Sequence, residues 1–197
     1  MFDSTGPVLG IDPGVSRCGY GAVRLGRARR AEPVAYGVIR TAPADPLAER
    51  LAALQVELER LIAELRPAAV AVERVLFQAN QRTAMSVGQA SGLALAAAAR
   101  AGVPVDQYSP NEVKLAVTGH GGADKAQVQA MVVRLLRLDA PPRPTDAADA
   151  LAVALCHSWQ VPLAGAADAG AGSHAGEAGR DGFGAAVSAA LAREAAR

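Results

Sequence analysis

The chain has 197 residues, of which 51% are hydrophobic and 20% are charged, and its formal net charge is +1. This length suits one domain with a sizeable core, and this composition excludes a disordered or fibrous chain. The near-neutral total excludes a chain that is basic throughout, but a basic patch on one face would still allow a nucleic-acid partner.

The N-terminal part of the chain predicts a meander followed by a helix. Strands are predicted over residues 8–12, 19–25 and 31–41, and their short connections favour antiparallel pairing. Leucines then recur at helical spacing over residues 47–65, and Pro67 ends that pattern.

The remaining elements alternate between strands and helices. A buried strand over residues 68–75 is followed by a polar loop and a helix over residues 82–100. This order predicts an α/β fold with a mixed sheet, in one domain of residues 1–160. Residues 161–197 are rich in Gly and Ala, and they are predicted as a disordered tail. The later elements are a strand over residues 103–108 and helices over residues 110–117, 123–138 and 145–160.

Small residues recur at every fourth position of the helix over residues 82–100. They are Ala84, Gly88, Gly92 and Ala96. Such a stripe lets another backbone approach closely. Packing against the sheet and an interface between subunits are both compatible with the pattern, and both remain open.

Cysteine usage and the N-terminus indicate the compartment. Two cysteines, Cys18 and Cys156, do not make a disulfide framework, so a reduced, cytoplasmic setting is expected. The first residues lack a basic region followed by a long apolar run, and no apolar stretch is long enough to span a bilayer. We therefore expect a cytoplasmic protein without a membrane partner.

Four carboxylates stand where metal ligands are expected. Asp12 ends one predicted strand and Glu73 interrupts another, and an unpaired charge in an apolar run is costly to bury. If the first and fourth strands pair in parallel, these two side chains lie side by side. Asp146 and Asp149 are spaced i, i+3 and share one helix face. We expect both in the first helical turn, where the helix dipole keeps them ionised.

The ligand type predicts the metal. All four groups are hard oxygen donors without a neighbouring His or Cys, which suits Mg²⁺ or Mn²⁺ rather than Zn²⁺. Four carboxylates are about what two ions ~4 Å apart need for in-line displacement at a phosphate. Structural alternatives remain: Asp12 as a turn residue, Asp146 as a helix-start acid, and Glu73 as the partner of an arginine.

Seven motifs point to one family. They are LGIDPG, GYG, AVER, GQASG, NEVK, DKAQVQAMV and TDAADALAVA. In this order and spacing, over roughly residues 8–160, they resemble the RuvC family of Holliday junction endonucleases. The resemblance implies a ribonuclease H-like fold, with a mixed five-stranded sheet and helices on both faces. It also implies that Asp12, Glu73, Asp146 and Asp149 are the catalytic, metal-binding acids, although some members have His at the position of Asp146.

The resemblance also implies DNA-binding residues. The family's two key basic residues fall on Lys114 and Lys125, the only lysines in the chain, for which solvated surface positions are the alternative. The family stacks an aromatic side chain on a base after the glutamate, and Phe77 is the expected equivalent, with Leu76 as the alternative. Arg82 is expected to contact the DNA backbone nearby.

The function implied by the resemblance is the resolution of four-way DNA junctions in recombination and repair. The implied enzyme is a homodimer that uses Mg²⁺, with two ions per site, to nick two strands of like polarity, leaving 5′ phosphates and 3′ hydroxyls. RuvA and RuvB are the implied partners. An ATP-binding protein of the sugar-kinase or actin type is one alternative, but the chain lacks a second glycine-rich phosphate loop. A junction-binding module without catalysis is another, against which the four intact acids argue.

Overall fold

The computed structural model describes the chain in three segments, and it gives the backbone but not the side chains of residues 81–83. The three segments are residues 6–26, 30–74 and 81–160. The predicted tail over residues 161–197 lies outside them, so its character stays a prediction.

Five strands form one mixed sheet, in the order β3-β2-β1-β4-β5. The meander of β1, β2 and β3 is antiparallel as predicted, and β4 and β5 continue from β1 in parallel. The mixed five-stranded sheet is therefore confirmed. In chain order the strands are β1 (Val8–Asp12), β2 (Arg17–Leu25), β3 (Ala31–Arg40), β4 (Ala69–Glu73) and β5 (Val105–Tyr108).

Helices cover both faces of the sheet, as the resemblance implied. The first two pack on one face, where they enclose Leu9, Ile11 and Val72. The last three pack on the other face, around Val23 and Ala71. Because side chains alternate along a strand, one core is built on each side of the sheet. The helices are α1 (Leu47–Leu65), α2 (Gln81–Arg100), α3 (Pro110–Thr118), α4 (Lys125–Leu136) and α5 (Thr145–Gln160).

Glycines in β1 and β2 let α5 approach the centre of the sheet. A Cβ atom at Gly10 would overlap the backbone oxygen of Ala150, and one at Gly19 would overlap that of Asp146. The first turn of α5 therefore lies directly over β2, beside the end of β1. This contact brings the acids of the helix to those of the strands.

Several element boundaries differ by one or two residues from the sequence-based prediction, and the starts of β2 and α4 differ for identifiable reasons. β2 begins at Arg17 rather than at residue 19, because its first residues pair with the last residues of β3. α4 begins at Lys125 rather than at residue 123. Asp124 is its N-cap residue, and Asp124 and Gln127 form a reciprocal capping box.

The structure describes both cysteines and shows how long and how apolar the helices are. Cys18 and Cys156 are free and buried, so neither takes part in a disulfide. In the three described segments, no helix combines the length and apolarity needed to cross a membrane.

Candidate active site

Asp12 and Glu73 lie side by side at one edge of the sheet. They are the last residues of β1 and β4, and the parallel register that pairs Ile11 with Val72 places them next to each other. The two carboxyl groups share a hydrogen bond. The adjacency inferred from the topology is therefore present, and the partner of Glu73 is a second acid rather than an arginine.

Burial raises the pKa of both strand acids. The pKa of Asp12 is raised to about 8, first by desolvation and then by the negative charges of Glu73 and Asp149. Desolvation also raises the pKa of Glu73, although the hydrogen bond from Asp12 and the charges of Lys125 and Lys114 oppose it. The two carboxyl groups therefore share one proton. Two carboxylates this close in a desolvated site cannot both ionise without a cation.

α5 contributes the other two acids from one face. Asp146 lies in the first turn, as expected, but Asp149 lies one turn further into the helix, so the expectation that both lie in the first turn was wrong. Desolvation raises the pKa of Asp149 in spite of Lys125 beside it. Burial therefore outweighs the helix dipole at Asp149.

Lys125, the first residue of α4, reaches across to α5. Its Nζ donates a hydrogen bond to Oδ2 of Asp149 over 2.5 Å. Desolvation by itself lowers the pKa of Lys125, but the hydrogen bond and the charges of the surrounding acids outweigh it and raise this pKa. The ammonium group thus remains charged inside the carboxylate cluster.

A cleft of about 360 Å³ opens over the strand acids. Lys114 on α3 lines it together with Lys125. The predicted lysines therefore lie together at the acids rather than on a remote solvated surface. The acids and lysines that line the cleft are Asp12, Glu73, Lys114, Lys125 and Asp149.

Asp146 lies beside this cleft and has a different partner. Its Oδ1 is 3.4 Å from Nε of Arg17, the first residue of β2. Its Oδ2 is buried and has no hydrogen-bond partner. A buried carboxylate oxygen without a donor is costly, so this atom is positioned to accept a cation.

The donor set fits a divalent metal of the magnesium type. The four acids offer only oxygen atoms, which Mg²⁺ and Mn²⁺ prefer. Among the described residues, no three His, Cys, Asp or Glu side chains are already arranged around a common metal position. The reason lies in their present partners: Asp12 and Glu73 share a proton, Asp149 binds Lys125, and Asp146 binds Arg17. A bound cation would replace these partners.

Other residues predicted for the site are not joined to this cluster. Leu76 and Phe77 lie outside the described residues, as does the side chain of Arg82, so their DNA contacts stay predictions. The stripe of Ala84, Gly88 and Gly92 lies on α2, the helix that covers the opposite face of the sheet.

The exposure of the glycines on α2 shows whether that stripe packs against the sheet. Cβ atoms added at Gly88 and Gly92 would meet nothing within 4 Å, and both glycines are exposed. The inward side of the helix is instead formed by Ala90, Ala94 and Ala97. Packing of the glycines against the sheet is therefore wrong, and the interface interpretation stays a prediction.

Arg17 is a neighbour of the site that the sequence did not predict. The residue precedes the predicted second strand, and no helical or strand period marks it. Its contact with Asp146 depends on the close approach of α5 to Gly19, which is a tertiary property.

Comparison with known proteins finds relatives that share one protein name and more than half of the aligned residues. The family described as "Crossover junction endodeoxyribonuclease RuvC" matches residues 8–157. A protein of that name from Salinispora arenicola is 58% identical over 165 residues, covering 82% of this chain and 94% of the relative. One from Streptomyces avermitilis is 56% identical over 156 residues, covering 79% of this chain and 88% of the relative.

Solved structures agree with these sequence relatives. The structure described as "T. thermophilus RuvC in complex with Holliday junction substrate" is similar with a TM-score of 0.74 and 41% identity, over 79% of this chain and 94% of that chain. The yeast mitochondrial Holliday junction resolvase is similar with a TM-score of 0.57 at 16% identity, over 81% of this chain and 82% of that chain. At that identity, the yeast structure supports the fold alone.

Proposed function

The chain belongs to the RuvC family of crossover junction endodeoxyribonucleases, and from this premise we propose that it resolves four-way DNA junctions by metal-dependent hydrolysis at the carboxylate cluster. The observation that carries the proposal is the convergence of four acids from two parallel strand ends and one helix. Three of these acids line one cleft together with two lysines, and Asp146 lies beside it. Such a site suits phosphodiester hydrolysis.

We assign the metal ligands to Asp12, Glu73, Asp146 and Asp149. The unpartnered Oδ2 of Asp146 and the excess of carboxylates over cations favour Mg²⁺, with Mn²⁺ as a substitute and two ions per site. When bound, the ions supply an activated water and stabilise the negative charge on the leaving 3′ oxygen. The products are a 5′ phosphate and a 3′ hydroxyl.

The chain's own residues prepare the reaction in three ways. Asp12 and Glu73 give up their shared proton as the cluster takes up positive charge, which leaves the strand acids free as ligands. Lys125 moves its hydrogen bond from Asp149 to the substrate, and Lys114 holds a phosphate across the cleft. Fixing the scissile phosphate beside the acids lowers the entropic cost of reaction. Phe77 is assigned base stacking and Arg82 a backbone contact.

We propose that the enzyme acts as a homodimer through α2. Paired nicks in two strands of like polarity require two active sites. The exposed stripe of Gly88 and Gly92, together with Met85, which is 66% exposed on the same side, provides an apolar helix surface for a second copy. Ala84, at the start of the stripe, is half-buried and belongs to its edge.

The remaining parts of the proposal rest on the resemblance. The nuclease domain covers residues 1–160, and residues 161–197 are a tail. RuvA and RuvB are the partners, and the compartment is the cytoplasm, where Cys18 and Cys156 stay reduced. The family match over residues 8–157 favours the nuclease over a kinase-like or actin-like ATP-binding protein.

A junction assay tests the function. End-labelled four-way junction and a duplex of the same sequence are incubated with the protein in Mg²⁺ or in EDTA. Cleavage of the junction alone, in Mg²⁺ alone, is expected. Binding without cleavage in Mg²⁺ or Mn²⁺ would support the junction-binding module instead, and equal cleavage of the duplex would contradict structure selectivity.

A further inference from the structure

Two arginines face each other across β2 and β3 at the edge of the sheet that carries the acids. Arg17, the first residue of β2, pairs in the antiparallel register with Arg40, the last residue of β3. Residues directly opposite each other project from the same face, and like charges in this position destabilise a sheet. Further along the same strand, Arg24 faces Glu32, which is the favourable arrangement. The Arg17–Arg40 pair, at the edge of the sheet that carries the acids, therefore places two like charges opposite each other where opposite charges would be favoured.

The ion pair that Arg17 makes with Asp146, its one such contact among the described residues, is loose. Its Nε lies 3.4 Å from Oδ1 of Asp146, and the Arg17 side chain is 59% exposed. Contacts of this kind exchange readily, because exposed ion pairs contribute little. Arg40 is exposed, and among the described residues no acid pairs with it. Both guanidinium groups can thus accept an external anion.

A side-chain network holds the strand ends that carry the two arginines. Arg50 on α1 donates one hydrogen bond to Oγ of Ser16 over 2.6 Å and another to Oγ1 of Thr41 over 3.0 Å. Thr41 in turn donates to the backbone oxygen of Val15 over 2.7 Å. The neighbours of Arg17 and Arg40 in the chain are thereby tied together, so the fold itself holds the strand ends that carry the two arginines.

We propose that Arg17 and Arg40 form a second phosphate-binding edge of the DNA interface, which we call the β2–β3 edge. In the sheet order, β2 and β3 lie on one side of the two strand acids and β5, which leads into the helix of Lys114, lies on the other, so a DNA strand over the acids would be held by cations on both sides. Phosphate relieves the repulsion between the two arginines, and Arg17 exchanges Asp146 for it, which frees that acid for metal. Guanidinium groups bind phosphate with two parallel hydrogen bonds, which a single Nε contact to Asp146 does not use. The inference rests on the proposed function and extends it.

The salt dependence of junction binding tests this edge. Arg17→Ala and Arg40→Ala are compared with wild type and with the control Arg24→Ala, which removes the same charge from an exposed position further along β2. Binding is measured in EDTA at several salt concentrations, so that metal chemistry does not contribute. Arg17→Ala and Arg40→Ala should each lower the slope of log affinity against log salt by up to about 0.9. Arg24→Ala should leave the slope unchanged, and Arg17→Lys and Arg40→Lys should largely restore it.

Other outcomes contradict the proposed β2–β3 edge alone, or the edge together with the proposed function. If Arg17→Ala weakens binding but Arg40→Ala behaves like wild type, Arg17 is only the counter-ion of Asp146 and the proposed edge is wrong. If both variants match Arg24→Ala while wild type binds and cuts junctions, the edge is wrong and the proposed function stands. If wild type neither binds nor cuts junctions, both fall.

Discussion

Nζ of Lys125 lies 2.5 Å from Oδ2 of Asp149, and this contact links α4 to α5 inside the carboxylate cluster. Burial raises the pKa of Asp149, and the ammonium group of Lys125 opposes that effect. Lys125 thus limits the rise in the pKa of Asp149, and its exposed side chain can also reach a phosphate. This relationship separates the effects expected from substituting the two lysines.

Lys114→Ala and Lys125→Ala should both slow junction cleavage, because each removes a cation from the cleft over the acids. Only Lys125→Ala should lower the unfolding temperature in EDTA, since it alone leaves Asp149 without its ion-pair partner. The stability loss should be about 1 kcal/mol or less, because the Lys125 side chain is 61% exposed. Thermal melts and single-turnover cleavage measure the two effects. Equal melts and unchanged cleavage for both variants would return the lysines to solvated surface positions.

Substitution of the acids should separate cleavage from binding. Asp12→Asn, Glu73→Gln and Asp149→Asn each remove a metal-ligand charge, which costs several kcal/mol of transition-state stabilisation, or about two orders of magnitude or more in rate. Junction binding in EDTA should survive, since the basic residues are unchanged. Asp146→His should be milder, because the resemblance to the family implies that His is tolerated at that position and imidazole can also bind a metal. Glu64→Gln, on the exposed side of α1, is the matched control, and near-normal nicking by any of the three isosteric variants would refute the assignment.

Gly88→Leu should convert the protein to a monomer. The glycine has nothing within 4 Å of an added Cβ, so the substitution introduces no clash within the chain. Leu also favours a helix interior by up to about 1 kcal/mol over Gly, so the monomer fold should not be weakened. Light scattering measures the mass. Ala52→Leu, on the exposed side of α1, is the control for added apolar surface. A dimer that is unaltered in Gly88→Leu would move the interface away from α2.

The stability of the metal-free protein should fall as the pH rises from 7 to 9.5. Asp12 has an ordinary pKa of 3.8 and a folded pKa of about 8, so the folded state binds more protons than the unfolded state between these values. Stability from this group is fully present below the lower pKa and is lost as pH rises through the upper one. His157, whose pKa burial lowers, stays neutral across this range.

Thermal melts in EDTA measure this pH dependence. Asp12→Asn should flatten it, because the amide does not titrate. Mg²⁺ should also reduce the loss at high pH, since metal binding and deprotonation are coupled. A wild-type melt that rises between pH 7 and 9.5 in EDTA would mean that the two strand acids do not share a proton.

Sequence alone predicted the elements and the four acids, because hydrophobic periods and helix-ending residues are local signals. The adjacency of Asp12 and Glu73 also followed, since the parallel pairing of β1 and β4 was inferred from topology. The position of Asp149 beyond the first turn was missed although the helix start at residue 145 was predicted correctly, because the fifth residue of a helix lies beyond a first turn of about 3.6 residues. The shared proton and the Arg17–Asp146 contact depend on burial and on the approach of α5 to Gly19, which no local pattern encodes.

We propose that two such carboxylate clusters in one dimer cut two strands of a junction, and a supercoiled plasmid that extrudes a cruciform is the substrate that distinguishes paired from single cuts. Wild-type protein in Mg²⁺ should give linear DNA, because both strands are nicked within one binding event, and it should give no product in EDTA. Mixed dimers of wild type with Asp149→Asn should give mainly nicked circles, since one site is inactive. Nicked circles from wild type alone, or linear DNA in EDTA, would contradict the account.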